Sequence, residues 1–280
     1  MTRISDTFAD LKTRGEVALI PYITAGDPHL EMTEQLVLES VRQGADIIEL
    51  GVPFSDPMAD GPTNQLAAER ALRSGTSLRQ ILHLVQRLRQ TVTVPLILFT
   101  YYNPIFRYGG ARFADDAREA GVDGVLCVDL PPEEAEELKQ ETDRADLDLI
   151  FLLAPTSSLV RARKVLTRAR GFVYYVSVTG VTGVRDTLPD DLGEMVRRIR
   201  AISPVPVGVG FGISSPHQAA QVAAFADGVI VGSAISRIIE THCDQPDLVK
   251  RVGTFVGSLK QALREARSLS SDTVHVKGTL

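Results

Sequence analysis

The chain has 280 residues, 44% of them hydrophobic and 23% charged, a composition that can bury a large core and that excludes intrinsic disorder, collagen and fibrous repeats. Thirty Lys and Arg against 35 Asp and Glu leave a formal charge of −5, without the basic excess that tracks a nucleic-acid backbone. The N-terminal stretch MTRISDTFADLKTRG is charged where a signal peptide needs an apolar run. No apolar stretch reaches the roughly 18 to 20 residues that span a bilayer, so a cytoplasmic location is expected. Two cysteines, Cys127 and Cys243, are too few for a disulfide framework and fit a reducing compartment.

In chain order, residues 4–14 predict a short amphipathic helix with Ile4, Phe8 and Leu11 on one face, placed to plug one end of the fold. Short apolar runs rich in Val and Ile then alternate with longer amphipathic stretches. The runs fall at 17–24, 46–51, 94–101, 124–129, 149–153, 172–178, 205–210 and 228–232. Helix-like segments lie between them at 32–43, 63–73, 78–89, 110–120, 132–144 and 159–169. In 78–89, Leu78, Ile81, Leu82, Val85 and Leu88 keep the spacing of one buried helical face. Nearly apolar strands, each followed by a helix, imply parallel pairing under a helical cover, and eight of them imply a single (β/α)8 TIM barrel with an extra N-terminal helix.

Three segments echo one another: QGADIIELG at 43–51, AGVDGVLCVD at 120–129 and AFADGVIVG at 224–232, each a small residue, an Asp and an apolar strand. No linker or charge run divides the chain, so one barrel domain over 1–268 is expected, with 269–280 as a flexible tail.

In such barrels the chemistry sits at the C-terminal ends of the strands. The second run ends with a carboxylate among apolar residues, and alternation puts Ala45, Ile47 and Glu49 on one face, with Ile48 and Leu50 on the other. If the latter face packs on helices, Glu49 points into the barrel mouth, where lost hydration suits it to carrying a proton near neutral pH. The competing explanation is a carboxylate held by an Arg or Lys. The following loop, stiffened by Pro53, Pro57 and Pro62, brings Asp60 back over the strand end, where two carboxylates can divide acid and base work. Asp60 also stands just before a helix, so N-terminal capping competes as its role. Glycines follow the last three strands at 179–183, 208–212 and 232–234, a pattern that suits a phosphate held by backbone N–H groups. Five dispersed histidines show no metal-ligand spacing, and Tyr22, Phe99, Tyr101, Tyr174 and Phe211 fall near strand ends, where they can pack or line a pocket for a flat ring.

The segment IIELGVPFSDPMADGPT at 47–63 closely resembles the signature of the tryptophan synthase alpha subunit family. PYITAGDP at 21–28, TYYNP at 100–104, VDLPPEE at 128–134, SVTGVTG at 177–183, VGFGIS at 209–214 and DGVIVGSAI at 227–235 resemble further family motifs in the same order, over roughly residues 4–265. The resemblance implies that Glu49 and Asp60 are the catalytic pair. It implies phosphate-end contacts from Thr182, Gly183, Gly212, Gly232 and Ser233, and an indole pocket from Tyr22, Phe99, Cys127, Tyr174 and Phe211. The implied reaction is the reversible retro-aldol cleavage of indole-3-glycerol phosphate to indole and glyceraldehyde 3-phosphate, with no metal and no cofactor in this chain. A beta subunit carrying pyridoxal phosphate is the implied partner in an alpha2beta2 assembly, docking near Pro53, Asp56, Asn103 and Pro131. Tyr22 stands where the family often has phenylalanine, and Asn64 where an aliphatic residue is usual. Another phosphate-binding barrel enzyme, a free-standing indole-releasing lyase and a non-catalytic activating partner are the competing functions; two carboxylates inside a barrel mouth speak against the last.

Overall fold

The computed structural model describes residues 2–176, 191–210 and 212–275, with side chains described through residue 266. Eight strands, β1 (Ala18–Thr24), β2 (Ile48–Gly51), β3 (Leu96–Thr100), β4 (Gly124–Cys127), β5 (Asp148–Leu153), β6 (Val173–Val176), β7 (Val207–Gly210) and β8 (Gly228–Val231), pair in parallel and in sequence order. β8 closes on β1 through the register Ala18 to Gly228 and Pro21 to Val231. The expected (β/α)8 barrel is therefore present. Several strands are a residue or two shorter than the apolar runs, because the hydrophobic pattern extends beyond the hydrogen-bonded ladder.

The helices are α1 (Arg3–Thr13), α2 (Leu30–Arg42), α3 (Pro62–Arg73), α4 (Leu78–Leu88), α5 (Tyr102–Tyr108), α6 (Gly110–Ala120), α7 (Glu136–Arg144), α8 (Leu159–Leu166), α9 (Leu192–Arg200), α10 (Pro216–Ala223), α11 (Ser233–His242) and α12 (Leu248–His275). α7 starts four residues later than the periodicity suggests, after a turn over 132–134. α12 continues past 268, where the sequence pattern fades, to His275; residues 276–280 lie outside the described residues. Among the described residues no helix is long and apolar enough to cross a membrane.

Strand alternation sorts the core into two layers. Ile20, Tyr22, Ile97, Phe99, Leu126, Ile150, Tyr174 and Ile230 fill the barrel, together with Ile4, Phe8 and Leu11 of α1. Phe8 meets Phe172 with ring centroids 5.6 Å apart, so α1 plugs the N-terminal end of the strands as its apolar face predicts. The alternate residues, such as Ile48, Leu50, Val125 and Val229, pack outward against helices. Ala45 departs from the expected alternation: it lies in the outer layer, because β2 begins only at Ile48 and the pleat does not reach back to it.

The repeated Asp has a repeated job at that same end. The Asp46 carboxylate accepts the Leu19 N–H at 2.7 Å while the Asp46 N–H donates to the Leu19 carbonyl at 3.0 Å. Asp123 makes the same reciprocal pair with Leu96, at 2.8 and 2.9 Å, and Asp227 with Val207, both at 2.9 Å. Each carboxylate also meets a cation: Lys260 at 2.8 Å from Asp46, Arg89 and Arg3 on Asp123, and Arg200 at 2.6 Å from Asp227. Paired in this way, a carboxylate that burial would otherwise penalise fastens one strand to the next.

Candidate active site

At the opposite end of the strands lie the two carboxylates, Glu49 and Asp60. β2 pairs with Tyr22 on one side and Ile97 on the other at the level of Glu49, and both neighbours face the barrel interior. Glu49 is fully buried, and neither carboxylate oxygen has a hydrogen-bond partner. Burial pushes its pKa from the ordinary 4.5 up to about 8. Among the described residues no ion pair holds it, which speaks against a structurally paired carboxylate: burial disfavours the charge, so the group keeps its proton at neutral pH.

Asp60 is held by different means. The Tyr101 hydroxyl at the end of β3 donates to Asp60 Oδ2 at 2.9 Å and accepts the Ala59 N–H at 2.8 Å. Gln65 Nε2 donates to the Asp60 carbonyl at 2.8 Å, and the Phe54 ring lies 5.1 Å from that of Tyr101. Burial raises the Asp60 pKa from 3.8 to about 6, against the opposing effect of the Tyr101 hydrogen bond. The N-cap of α3 is Gly61, without a side-chain cap, so Asp60 does not cap the helix. The two carboxylates thus differ as acid–base work requires, one desolvated and unpartnered, the other hydrogen-bonded and more acidic. Tyr101 was legible only as one aromatic among several near strand ends; the signal for its role is that TYYNP follows the strand adjacent to the one bearing Glu49.

Around Glu49 the interior face presents Tyr22, Phe99 and Tyr174, with Tyr22 edge-on to Phe99 at 5.2 Å and Phe99 6.5 Å from Tyr174. Cys127 is not part of this lining. Leu126 is the β4 residue that faces inward, and alternation turns Cys127 to the outer layer between barrel and helices. Gly232 is the N-cap of α11 and Ser233 its first residue; the first turn has no side-chain cap and no acidic residue, which leaves its N–H groups open to an anion. A Cβ on Gly232 would come 3.2 Å from the Tyr22 ring, so this helix start abuts the aromatic lining. Gly212 has a φ of 80°, the left-handed region in which glycine is favoured. Thr182, Gly183 and Phe211 lie outside the described residues, as does the glycine-punctuated segment 177–190.

On the outer rim Asp56 and Asn103 are exposed, Pro131 is half-buried and Pro53 is buried. Met58 and Phe106 are 87% and 64% exposed, from the segments after β2 and β3. A groove of about 550 Å³ lined by Pro132, Glu133, Arg163, Lys164, Thr167 and Arg168 shares no residue with the carboxylate site. Among the described residues no cluster of three or more His, Cys, Asp or Glu is placed to hold a metal ion.

A closed parallel (β/α)8 barrel with one buried, unpartnered carboxyl on β2 and a second, hydrogen-bonded one in the loop that follows has the layout of a barrel enzyme. The family model described as tryptophan synthase alpha chain matches residues 8–264. The tryptophan synthase alpha chain of Citrifermentans bemidjiense is 58% identical over 263 residues, which are 94% of this chain and 98% of that one. Among solved structures, tryptophan synthase subunit alpha from Legionella pneumophila superposes with a TM-score of 0.87 at 43% identity, covering 95% of this chain and 99% of the other. A chain of Mycobacterium tuberculosis tryptophan synthase gives 0.86 at 38% identity, covering 94% and 98%. The chain belongs to the tryptophan synthase alpha chain family.

Proposed function

We propose that this chain cleaves indole-3-glycerol phosphate to indole and glyceraldehyde 3-phosphate as a carbon–carbon lyase, with Glu49 and Asp60 as its catalytic residues. The observation that carries the assignment is Glu49: a fully buried carboxyl with both oxygens unpartnered, raised to a pKa of about 8, at the C-terminal end of a barrel strand. At neutral pH it holds a proton to deliver to indole C3. The carboxylate left behind collects the proton of the side-chain hydroxyl as the carbon–carbon bond breaks, so the proton count closes on the one group. Asp60, ionised at neutral pH with its pKa of about 6, faces the ring N–H and stabilises the positive charge that develops on nitrogen when C3 is protonated.

In this reading the indole lies among Tyr22, Phe99 and Tyr174, with Leu126 taking the place expected of Cys127 and Phe211 completing the pocket. The phosphate lies at the start of α11, on Gly232 and Ser233, with Gly212, Gly183 and Thr182. No cofactor enters this chemistry; pyridoxal phosphate belongs to the beta subunit that consumes the indole. The rim bearing Asp56, Asn103, Met58 and Phe106 is the docking face for that subunit in an alpha2beta2 assembly, since large apolar side chains exposed beside a site mark an interaction surface. The barrel domain runs through α12, past the expected boundary at 268, and the location is cytoplasmic.

The test is condensation of indole with glyceraldehyde 3-phosphate, the reverse reaction. Glu49→Gln lowers turnover by about 10² to 10⁴-fold with the fold retained. Turnover within a few-fold of the unaltered chain refutes the assignment.

A further inference from the structure

Tyr22 brings a hydroxyl into the lining, as Tyr174 does, and the structure accounts for where the Tyr22 hydroxyl goes. In the β1–β2 register Tyr22 faces Glu49 and Thr24 faces Gly51. The tyrosine ring rises from the first level to the second, and a Cβ on Gly51 would lie 2.2 Å from its oxygen. Glycine at 51 therefore leaves the space that the hydroxyl occupies. Thr24 Oγ1 donates to the Tyr22 oxygen at 3.3 Å, in a buried contact. That contact uses the oxygen as acceptor and leaves its proton to be given elsewhere.

Two carboxylates are near enough to act on Tyr22: burial raises its pKa first, and the charges of Asp60 and Glu49 raise it further. Asp60 already takes the Tyr101 hydroxyl. Both oxygens of Glu49 are open. We propose that Tyr22 is a positioning residue: when Glu49 gives up its proton, the Tyr22 hydroxyl donates to the new carboxylate and holds it where it collects the proton of the substrate hydroxyl. This rests on Glu49 being the proton carrier. The donor is oriented in advance by Thr24, so little reorganisation accompanies each proton transfer. The titratable groups around Glu49 are Tyr22 on β1, Asp60 on the loop after β2, Tyr101 behind Asp60 and Tyr174 on β6. Burial raises all three phenols, which therefore stay neutral across the working range, and no Lys, Arg or His among the described residues acts on Glu49.

Carboxyl-¹³C glutamate labelling of the full chain reads the titration of Glu49 directly, its signal identified by its absence in Glu49→Gln. Burial alone puts the midpoint at about 8, and in the unaltered chain the Tyr22 hydrogen bond to the charged form holds it below that. Tyr22→Phe, which removes one oxygen and keeps the ring, raises that midpoint by about one pH unit, because a hydrogen bond to the charged form is lost. Thr24→Val raises it by less, and the alkaline limb of kcat/KM, set by loss of the Glu49 proton, moves in step. An unmoved midpoint in Tyr22→Phe overturns the inference and leaves the Glu49 assignment standing. An unmoved midpoint in Thr24→Val alone strikes out Thr24 as the orienting donor. A midpoint near the ordinary 4.5 in the unaltered chain overturns the proton-carrier reading itself.

Discussion

Replacing Glu49 by glutamine should stabilise the protein, and increasingly so as the pH rises. The folded chain holds the Glu49 proton with a pKa of about 8, against an ordinary value of 4.5. Below the lower value the group is protonated in both folded and unfolded chains and adds no pH dependence. Between the two, the unfolded chain ionises and gains hydration that the folded chain cannot match. Above the upper value both are ionised and the full desolvation cost is present. Stability is therefore lost as pH climbs from about 4.5 to about 8, at roughly 1.4 kcal/mol per unit. Between about pH 5 and about pH 8 the unaltered chain should lose about 3.5 kcal/mol relative to Glu49→Gln. The buried amide of the variant carries its own cost of about 1 to 3 kcal/mol if it finds no partner, but that offset does not vary with pH. Urea unfolding of both proteins across this range separates the two effects, since only the slope of the difference reports on Glu49. A difference that stays flat with pH would mean that the carboxyl is hydrated or paired in the folded chain and would refute the reasoning.

Tyr101→Phe removes the hydrogen bond that opposes the rise in the Asp60 pKa and the acceptor for the Ala59 N–H, so kcat/KM at neutral pH should fall about tenfold and recover partly toward higher pH. A pH-independent loss would instead point to loop misplacement. Arg70→Met leaves the fully buried Asp27 without its two-pronged partner, at 2.8 and 2.9 Å, and should cost about 3 to 5 kcal/mol in denaturant unfolding, part of it recovered by adding Asp27→Asn. Gly51→Ala sets a methyl group 2.2 Å from the Tyr22 oxygen, so the ring must move; a loss of about 1 to 3 kcal/mol of stability and weaker indole binding by calorimetry are expected.

The barrel was legible because its signal is redundant: eight apolar runs of similar length, one amphipathic helix with its face at Ile4, Phe8 and Leu11, and three copies of an Asp-headed strand. Glu49 was legible because a carboxylate inside an apolar strand violates the pattern around it. What failed was the fine position of side chains at strand ends. Cys127 and Leu126 are adjacent, so a one-residue difference in register exchanges the pocket for the outer shell, and composition cannot separate them. The relation of Tyr101 to Asp60 was illegible for another reason: the two are 41 residues apart in sequence, and only the closure of β2 against β3 brings them together.

The Asp clasps at the lower rim join β1 to β2, β3 to β4 and β7 to β8, which makes the pair of strands, not the single strand, the repeating piece of this barrel. The pair that breaks the rule is informative. At β5 and β6 the acid moves to the first strand, as Asp148, and is met by Arg170 at 3.1 Å and by the Thr2 hydroxyl at 2.6 Å. Thr2 caps the plugging helix, so α1 fastens the odd pair, and through Arg3 it reaches the Asp123 clasp as well. Loosening α1 would therefore slacken two of these fastenings at once, the one at β5 and β6 and the one at Asp123.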